Sequence, residues 1–253
     1  MKVYKYSSCE NIFLITTYNE RLDYSLIAID LCNKYESDGL LIFKNDPMSM
    51  LIYNKDGSQA MMCGNGIRAM THYLYNRFRI YNFLKMNTAS GMYECEIINK
   101  EPFISSVSFP FINLDINKHV ITIKDKEFEV SVIDVGVKHA IILSNDFIVD
   151  SKYLIDIYNH ELFKGNVNIN LVKPLNSCVF EMLTYERGVG FTKSCGTGAV
   201  ASAYLLHHEN QMDSNLIVIC SGGLLRVVID GVITLSGETS FIEEYDEDLW
   251  KYC

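Results

Sequence analysis

MCGNGIRAMTHYLYN (Met62–Asn76) and SCGTGAVASAYLLHH (Ser194–His208) align over Cys-Gly-x-Gly without a gap, with Cys63 and Cys195 standing 132 residues apart. A second match keeps the same register. Ser90-Gly91 lies 27 and 28 residues after Cys63, and Gly222-Gly223 lies 27 and 28 after Cys195. An offset near half of a 253-residue chain describes a duplicated domain and excludes a solenoid, whose repeats are much shorter. The expected division is a first half over 1–115 carrying Cys63 and a second over 116–253 carrying Cys195.

Around each motif the local pattern recurs. SMLIYN and SCVFEML are β-prone runs that precede the two cysteines. Helical periodicity follows, with Ile67, Met70, Leu74 and Phe78 in one copy and Val200, Ala203, Tyr204 and His207 in the other. Each Cys-Gly-x-Gly is therefore expected at a helix start. GLLIF, MYECEII, KEFEVSVIDV, HAIIL, NVNINLV, LIVIC and LLRVVI read as further strands, while SLIAIDLCNKY and SKYLIDIYNHELF read as helices in comparable places of the two halves. The fold class is α+β with strands dominant.

Composition removes several functions. Forty-nine per cent apolar residues allow a large core, and a formal charge of -9 without any Lys/Arg cluster argues against a nucleic-acid partner. No apolar run approaches membrane-spanning length, and the N-terminus lacks a signal-peptide core, so a cytoplasmic protein without membrane attachment is expected. The eight cysteines include no Cys-x-x-Cys pair and do not cluster with the six histidines, so most should be reduced and no metal site is expected. Nucleotide-binding glycine loops are absent from the sequence, and no cofactor is expected.

A cysteine at a helix start lies at the positive end of the helix dipole beside backbone N–H groups, a setting in which thiol pKa values fall to roughly 3.5–7.5. The same N–H groups can hold a carboxylate. Two such starts can serve one amino acid, one sulfur on each face of its α-carbon, because inversion of configuration needs a base on one side and an acid on the other. Considered singly, either cysteine would read as a small buried hydrophobe; the duplicated context is what favours chemistry.

At these residues the chain resembles the diaminopimelate epimerases. NKDGSQAMMCGNGIRA (Asn54–Ala69) and YERGVGFTKSCGTGAVAS (Tyr185–Ser202) match the two catalytic segments of that family, and further matches cover Asn11, DGLL from Asp38, TASG from Thr88, the segment through His139, NVNINLV from Asn166 and SGGLL from Ser221. The resemblance implies two pseudo-symmetric domains, each a strongly curved sheet wrapped round a central helix, with the active site in the cleft between them. It implies Cys63 and Cys195 as the acid–base pair, and Gly64, Asn65, Gly196 and Thr197 as binders of the α-carboxylate. Asn11, Asn54, Asn168, Glu186 and Arg187 are implied to contact the rest of the substrate, and for Arg187 the guanidinium fork independently suits a distal carboxylate. His139 is expected to support the structure.

Departures from the family pattern gather away from the cysteines. Gly136-Val137-Lys138-His139 stands where the family has Gly-Asn-Pro-His, and Gly190-Phe191-Thr192 where it has Gly-Glu-Thr. Three functions follow as expectations. The first is cofactor-independent epimerisation of LL- and meso-diaminopimelate, and the second is racemisation of another amino acid such as histidine on the same scaffold. The third is a non-catalytic amino-acid-binding protein. The partner in each case is a small amino acid, and a homodimer is allowed.

Overall fold

The computed structural model describes residues 1–79, 82–110 and 113–252. By contacts the chain divides into two compact units, Met1–Ser108 with Ser236–Cys253, and Phe109–Leu235. The division at 115/116 expected from sequence places the whole C-terminal segment in the second half, whereas by contacts Ser236–Cys253 goes with the first. The difference has a simple origin, since the end of the last strand, Val232–Asp246, pairs antiparallel with the first strand of the chain from Ser8↔Thr239 to Lys2↔Asp246.

In the first unit, β1 (Lys2–Ser8) is antiparallel to β2 (Asn11–Thr17), and helix α1 (Tyr24–Lys34) leads to β3 (Gly39–Lys44), which lies parallel to β2. Strand β4 (Ser49–Asn54) returns antiparallel to β3 and pairs with the short β5 (Gln59–Ala60). Helix α2 (Gly64–Phe78) follows, then the hairpin of β6 (Phe83–Thr88) and β7 (Gly91–Lys100), with β8 (Phe103–Phe109) beside β7.

The second unit repeats this pattern. After β9 (Asn117–Ile123), β10 (Lys126–Asp134) is antiparallel to β11 (Lys138–Leu143). The short helix α3 (Phe147–Asp150) and α4 (Leu154–Asn159) lead to β12 (Asn168–Pro174), parallel to β11, and β13 (Val179–Glu186) returns antiparallel to pair with β14 (Gly190–Thr192). Helix α5 (Gly196–Asn210) and the hairpin of β15 (Asn215–Cys220) and β16 (Gly223–Asp230) complete the repeat before β17 (Val232–Asp246).

The long apolar strands have a physical reason. All of Gly39–Phe43 is buried, because β3 carries a helix on each face. Leu40 and Ile42 join the core under α1 with Ile27, Ala28 and Leu31, while Phe43 on the other face meets Tyr73 of α2. In β12 the same alternation puts Ile169 and Leu171 in the core with Leu154 and Ile157 of α4, and turns Asn170 toward α5. The expected helix over SKYLIDIYNHELF is shorter than its sequence pattern, since His160 leaves helical geometry (φ -56, ψ 146) and the chain turns through Phe163 N–H to His160 C=O.

Both central helices are buried all round. Every residue from Gly64 to Leu74 and from Gly196 to Leu206 is buried, which is the state of a helix enclosed by sheet and not of one lying on a surface. Phe78, which continues the apolar period, lies beyond this stretch and is 51% exposed. The duplication holds to the ends of the helices: Arg79 and Gln211, also 132 residues apart, both close them in the left-handed conformation (φ 53 and 54). Gly91 and Gly223 enter the following strands at φ 131 and 133, where a side chain would be strained, which explains the second sequence match. The residues just before them donate to equivalent carbonyls, Ser90 N–H to Met61 and Gly222 N–H to Lys193.

Candidate active site

Each motif cysteine is the N-cap of its helix, in extended backbone geometry (φ -148, ψ 111 for Cys63; φ -129, ψ 110 for Cys195). Its carbonyl accepts the first intrahelical bond, from Ile67 N–H and Ala199 N–H, both at 2.9 Å. The helix start expected from periodicity is thus present in both units. Cys63 is partly exposed and its Sγ accepts the Gly66 N–H at 3.3 Å, so one of the helix-start donors faces sulfur. Cys195 is buried and its Sγ lies 3.5 Å from Thr197 Oγ1.

The second glycine of each motif makes room for protein. A Cβ on Gly198 would stand 2.4 Å from Asn170 Oδ1, and one on Gly66 would stand 3.2 Å from Leu41 Cδ2 and 3.4 Å from Cys63 Sγ. In both units a neighbouring side chain occupies the space beside this glycine.

In the first unit Asn11, at the start of β2, donates through Nδ2 to Asp38 Oδ2 at 2.8 Å, and Asp38 also takes the Ile12 N–H at 2.7 Å. Asn54, at the end of β4, forms a turn: its Nδ2 donates to Ser58 Oγ at 3.0 Å, while Lys55 N–H reaches Asp38 C=O at 3.3 Å. Asp38 thereby links Asn11 to the Asn54 turn. Asn65 is buried, and its Oδ1 accepts from Arg68 Nη2 at 2.6 Å. Arg68 is itself fully buried and also donates to Glu238 C=O at 3.3 Å.

In the second unit Asn168 Oδ1 holds the Arg187 backbone N–H at 2.8 Å, and Arg187 Nη1 donates to Asn166 Oδ1. Glu186 accepts from Thr192 Oγ1 at 2.7 Å. Asn168, Glu186 and Arg187 therefore meet at the ends of β12 and β13. Asn54 and Glu186 each precede their cysteine by nine residues and end equivalent strands, β4 and β13. Phe191 is exposed and packs edge-on against Tyr185 at 5.4 Å.

Sequence reasoning missed four polar residues around these positions: Asp38, Arg68, Asn170 and Thr184. For Asn170 a signal existed, a second asparagine two residues after Asn168 in an otherwise apolar strand, on the face that alternation sends toward the central helix. Arg68 is harder to find, because an arginine one turn into a helix reads as solvent-facing until the helix proves to be enclosed.

His139 is fully buried, bonded on both ring nitrogens to Thr197 and Asn170, and burial pushes its pKa down to about 3. His72 is buried beside Thr239 Oγ1 and stacked on Phe103 at 3.9 Å, and burial lowers it to about 4. Both rings are neutral when folded and gain a proton near pH 6.5 when unfolded. Their contribution is present above that pH and is lost as pH falls toward 4 and below. Moving from pH 7 to pH 5 should cost roughly 2 kcal/mol for each histidine. Urea midpoints at the two pH values measure this, and His72→Gln should flatten the slope; an unchanged slope would contradict a buried neutral His72.

The comparisons with known proteins fit this geometry. Residues 131–241 match the family model described as diaminopimelate epimerase. A diaminopimelate epimerase of Clostridium perfringens is 32% identical over 85% of this chain and 87% of its own length. The chain belongs to the diaminopimelate epimerase family. Other relatives in that family include those of Methanocaldococcus jannaschii, 32% identical over 72% of each chain, and Alkaliphilus metalliredigens, 27% identical over 94% of each. Among solved structures, a hydroxyproline epimerase from Agrobacterium vitis superposes with a TM-score of 0.75 at 13% identity, covering 97% of this chain and 91% of its own. A PhzC/PhzF protein from Clostridium difficile does so at 0.72 and 12% identity, covering 98% and 99%. At such identities the two structures share the α+β fold with this member of the diaminopimelate epimerase family.

Proposed function

We propose that the chain is an isomerase that interconverts LL- and meso-diaminopimelate with two thiol groups and no cofactor. The observation that carries this reading is the pair of cysteines capping two enclosed helices at the same place in a duplicated fold, in a chain of this family. One sulfur, as thiolate, takes the α-proton, and the other, as thiol, delivers a proton to the opposite face, so each turnover exchanges their protonation states. The helix-start N–H groups at Gly64, Asn65, Gly196 and Thr197 hold the α-carboxylate and stabilise charge that develops beside it. Asn11, Asn54, Asn168, Glu186 and Arg187 bind the remainder of the substrate, with Arg187 clamping the distal carboxylate. A cytoplasmic setting, where thiols stay reduced, and a homodimer belong to the same reading, and the net charge of -9 disfavours a nucleic-acid partner.

The test is incubation with LL-diaminopimelate in heavy water, with no added metal, nucleotide or pyridoxal phosphate. Expected are meso product and deuterium at Cα. A protein that only binds the amino acid gives neither and would refute the proposal. L-Histidine in parallel separates the two enzymatic readings, because deuterium entering histidine alone would move the substrate assignment there.

A further inference from the structure

A line of buried polar groups in the second unit ends on the Cys195 sulfur. Thr184 Oγ1 donates to Asn170 Oδ1 at 3.0 Å, and Asn170 Nδ2 lies 3.0 Å from His139 Nδ1. His139 Nε2 lies 3.0 Å from Thr197 Oγ1, and that hydroxyl lies 3.5 Å from Cys195 Sγ. Thr184, Asn170, His139 and Thr197 are 2%, 0%, 0% and 6% exposed, so water does not set the direction of these bonds. The protein sets it instead.

The direction follows from Asn170. The place a Cβ of Gly198 would occupy is 2.4 Å from Asn170 Oδ1, which puts the amide oxygen against a Cα–H of Gly198. An oxygen is attracted there, whereas an NH2 group would press its hydrogens on a hydrogen. With the oxygen on that side, also taking the Thr184 hydroxyl, Nδ2 faces His139 and can only donate. His139 Nδ1 must then be the acceptor, and because burial keeps the ring neutral its one proton sits on Nε2. That N–H donates to Thr197 Oγ1. The hydroxyl's own hydrogen is left to point at sulfur.

We infer that Thr197, oriented by His139 and Asn170, is a positioning residue whose hydroxyl is held as a hydrogen-bond donor to Cys195, favouring charge on that sulfur. At the places of Asn170 and His139 the first unit carries apolar side chains. Leu41 packs on Gly66 as Asn170 packs on Gly198, and Phe13 pairs with Gly39 in β3 as His139 pairs with Asn168 in β12. Cys63 Sγ accepts the Gly66 N–H, whereas Cys195 Sγ faces the Thr197 hydroxyl.

The inference rests on Cys195 being one of the two acid–base groups, but its test needs no turnover. Substrate-free protein is treated with iodoacetamide at neutral pH, and carbamidomethylation of Cys195 is followed by mass spectrometry against Cys178, a partly exposed thiol outside the site. Removing a donor to a charged group should lower the thiolate fraction, so Thr197→Val is expected to slow alkylation of Cys195 roughly tenfold. Thr197→Ser should restore most of the rate. In the unmodified protein, 15N NMR should show His139 protonated on Nε2 and not on Nδ1. A proton on Nδ1, or a wild-type Cys195 rate in Thr197→Val, overturns the donor line even where Cys195→Ala proves inactive. Full activity of Cys195→Ala instead defeats the two-thiol reading itself.

Discussion

Cys63→Ala and Cys195→Ala should each lose about a thousandfold or more in epimerisation while keeping the fold. Each variant deletes one of two roles that every turnover uses, and a positioned acid or base contributes about 10^2 to 10^4 in rate. Structural cost should be modest. Cys195 is buried and Cys63 is partly exposed, and alanine removes one sulfur from each without adding volume. The decisive measurement is the rate of meso-diaminopimelate formation beside a circular-dichroism spectrum. Wild-type turnover by either variant would sink the mechanism. The double variant should be scarcely slower than the singles, because the two sulfurs act as a unit and their losses do not add.

The second large effect is structural and separates the two motifs. In Gly198→Ala the new Cβ would meet Asn170 Oδ1 at 2.4 Å, a distance that forces the buried Asn170–His139 line to move. Overpacking of that kind costs about 3 kcal/mol, well above the ~1 kcal/mol that alanine gains over glycine within a helix. In Gly66→Ala the nearest atom is the flexible end of Leu41 at 3.2 Å, and the propensity gain should offset the crowding to within about 1 kcal/mol. Urea midpoints of the two variants therefore should differ widely. Adding Asn170→Ala to Gly198→Ala should recover part of the loss, since the two sites are in contact. Equal destabilisation by both glycine substitutions would show that the Asn170 contact is not what requires glycine.

The duplicated cysteines, the helix starts beside them and the strand character of GLLIF, KEFEVSVIDV and LIVIC were legible in the residues, because they depend on local pattern. The positive-φ glycines of the second match were legible as spacing, and their reason was visible only in the backbone. Tertiary structure decided what short-range pattern does not encode. The C-terminal segment closes on β1 through pairing between residues more than two hundred positions apart, which no periodicity reports. Enclosure of α2 and α5 on every face turned Arg68, which reads as solvent-facing in sequence, into a buried residue and left Asn65 and Thr197 buried beside the helix starts. The alternation of β12 could point Asn170 at one face, but only the packed helix showed that Gly198 waits there, so that the amide of Asn170, the imidazole of His139 and the first turn of α5 at Thr197 and Gly198, three segments far apart in the chain, meet in one line behind Cys195. Sequence determined the elements and the reactive groups, because a residue's own chemistry and its near neighbours specify those; orientation of the supporting hydrogen bonds was decided by burial, which removes water and leaves each donor with the partner that packing supplies.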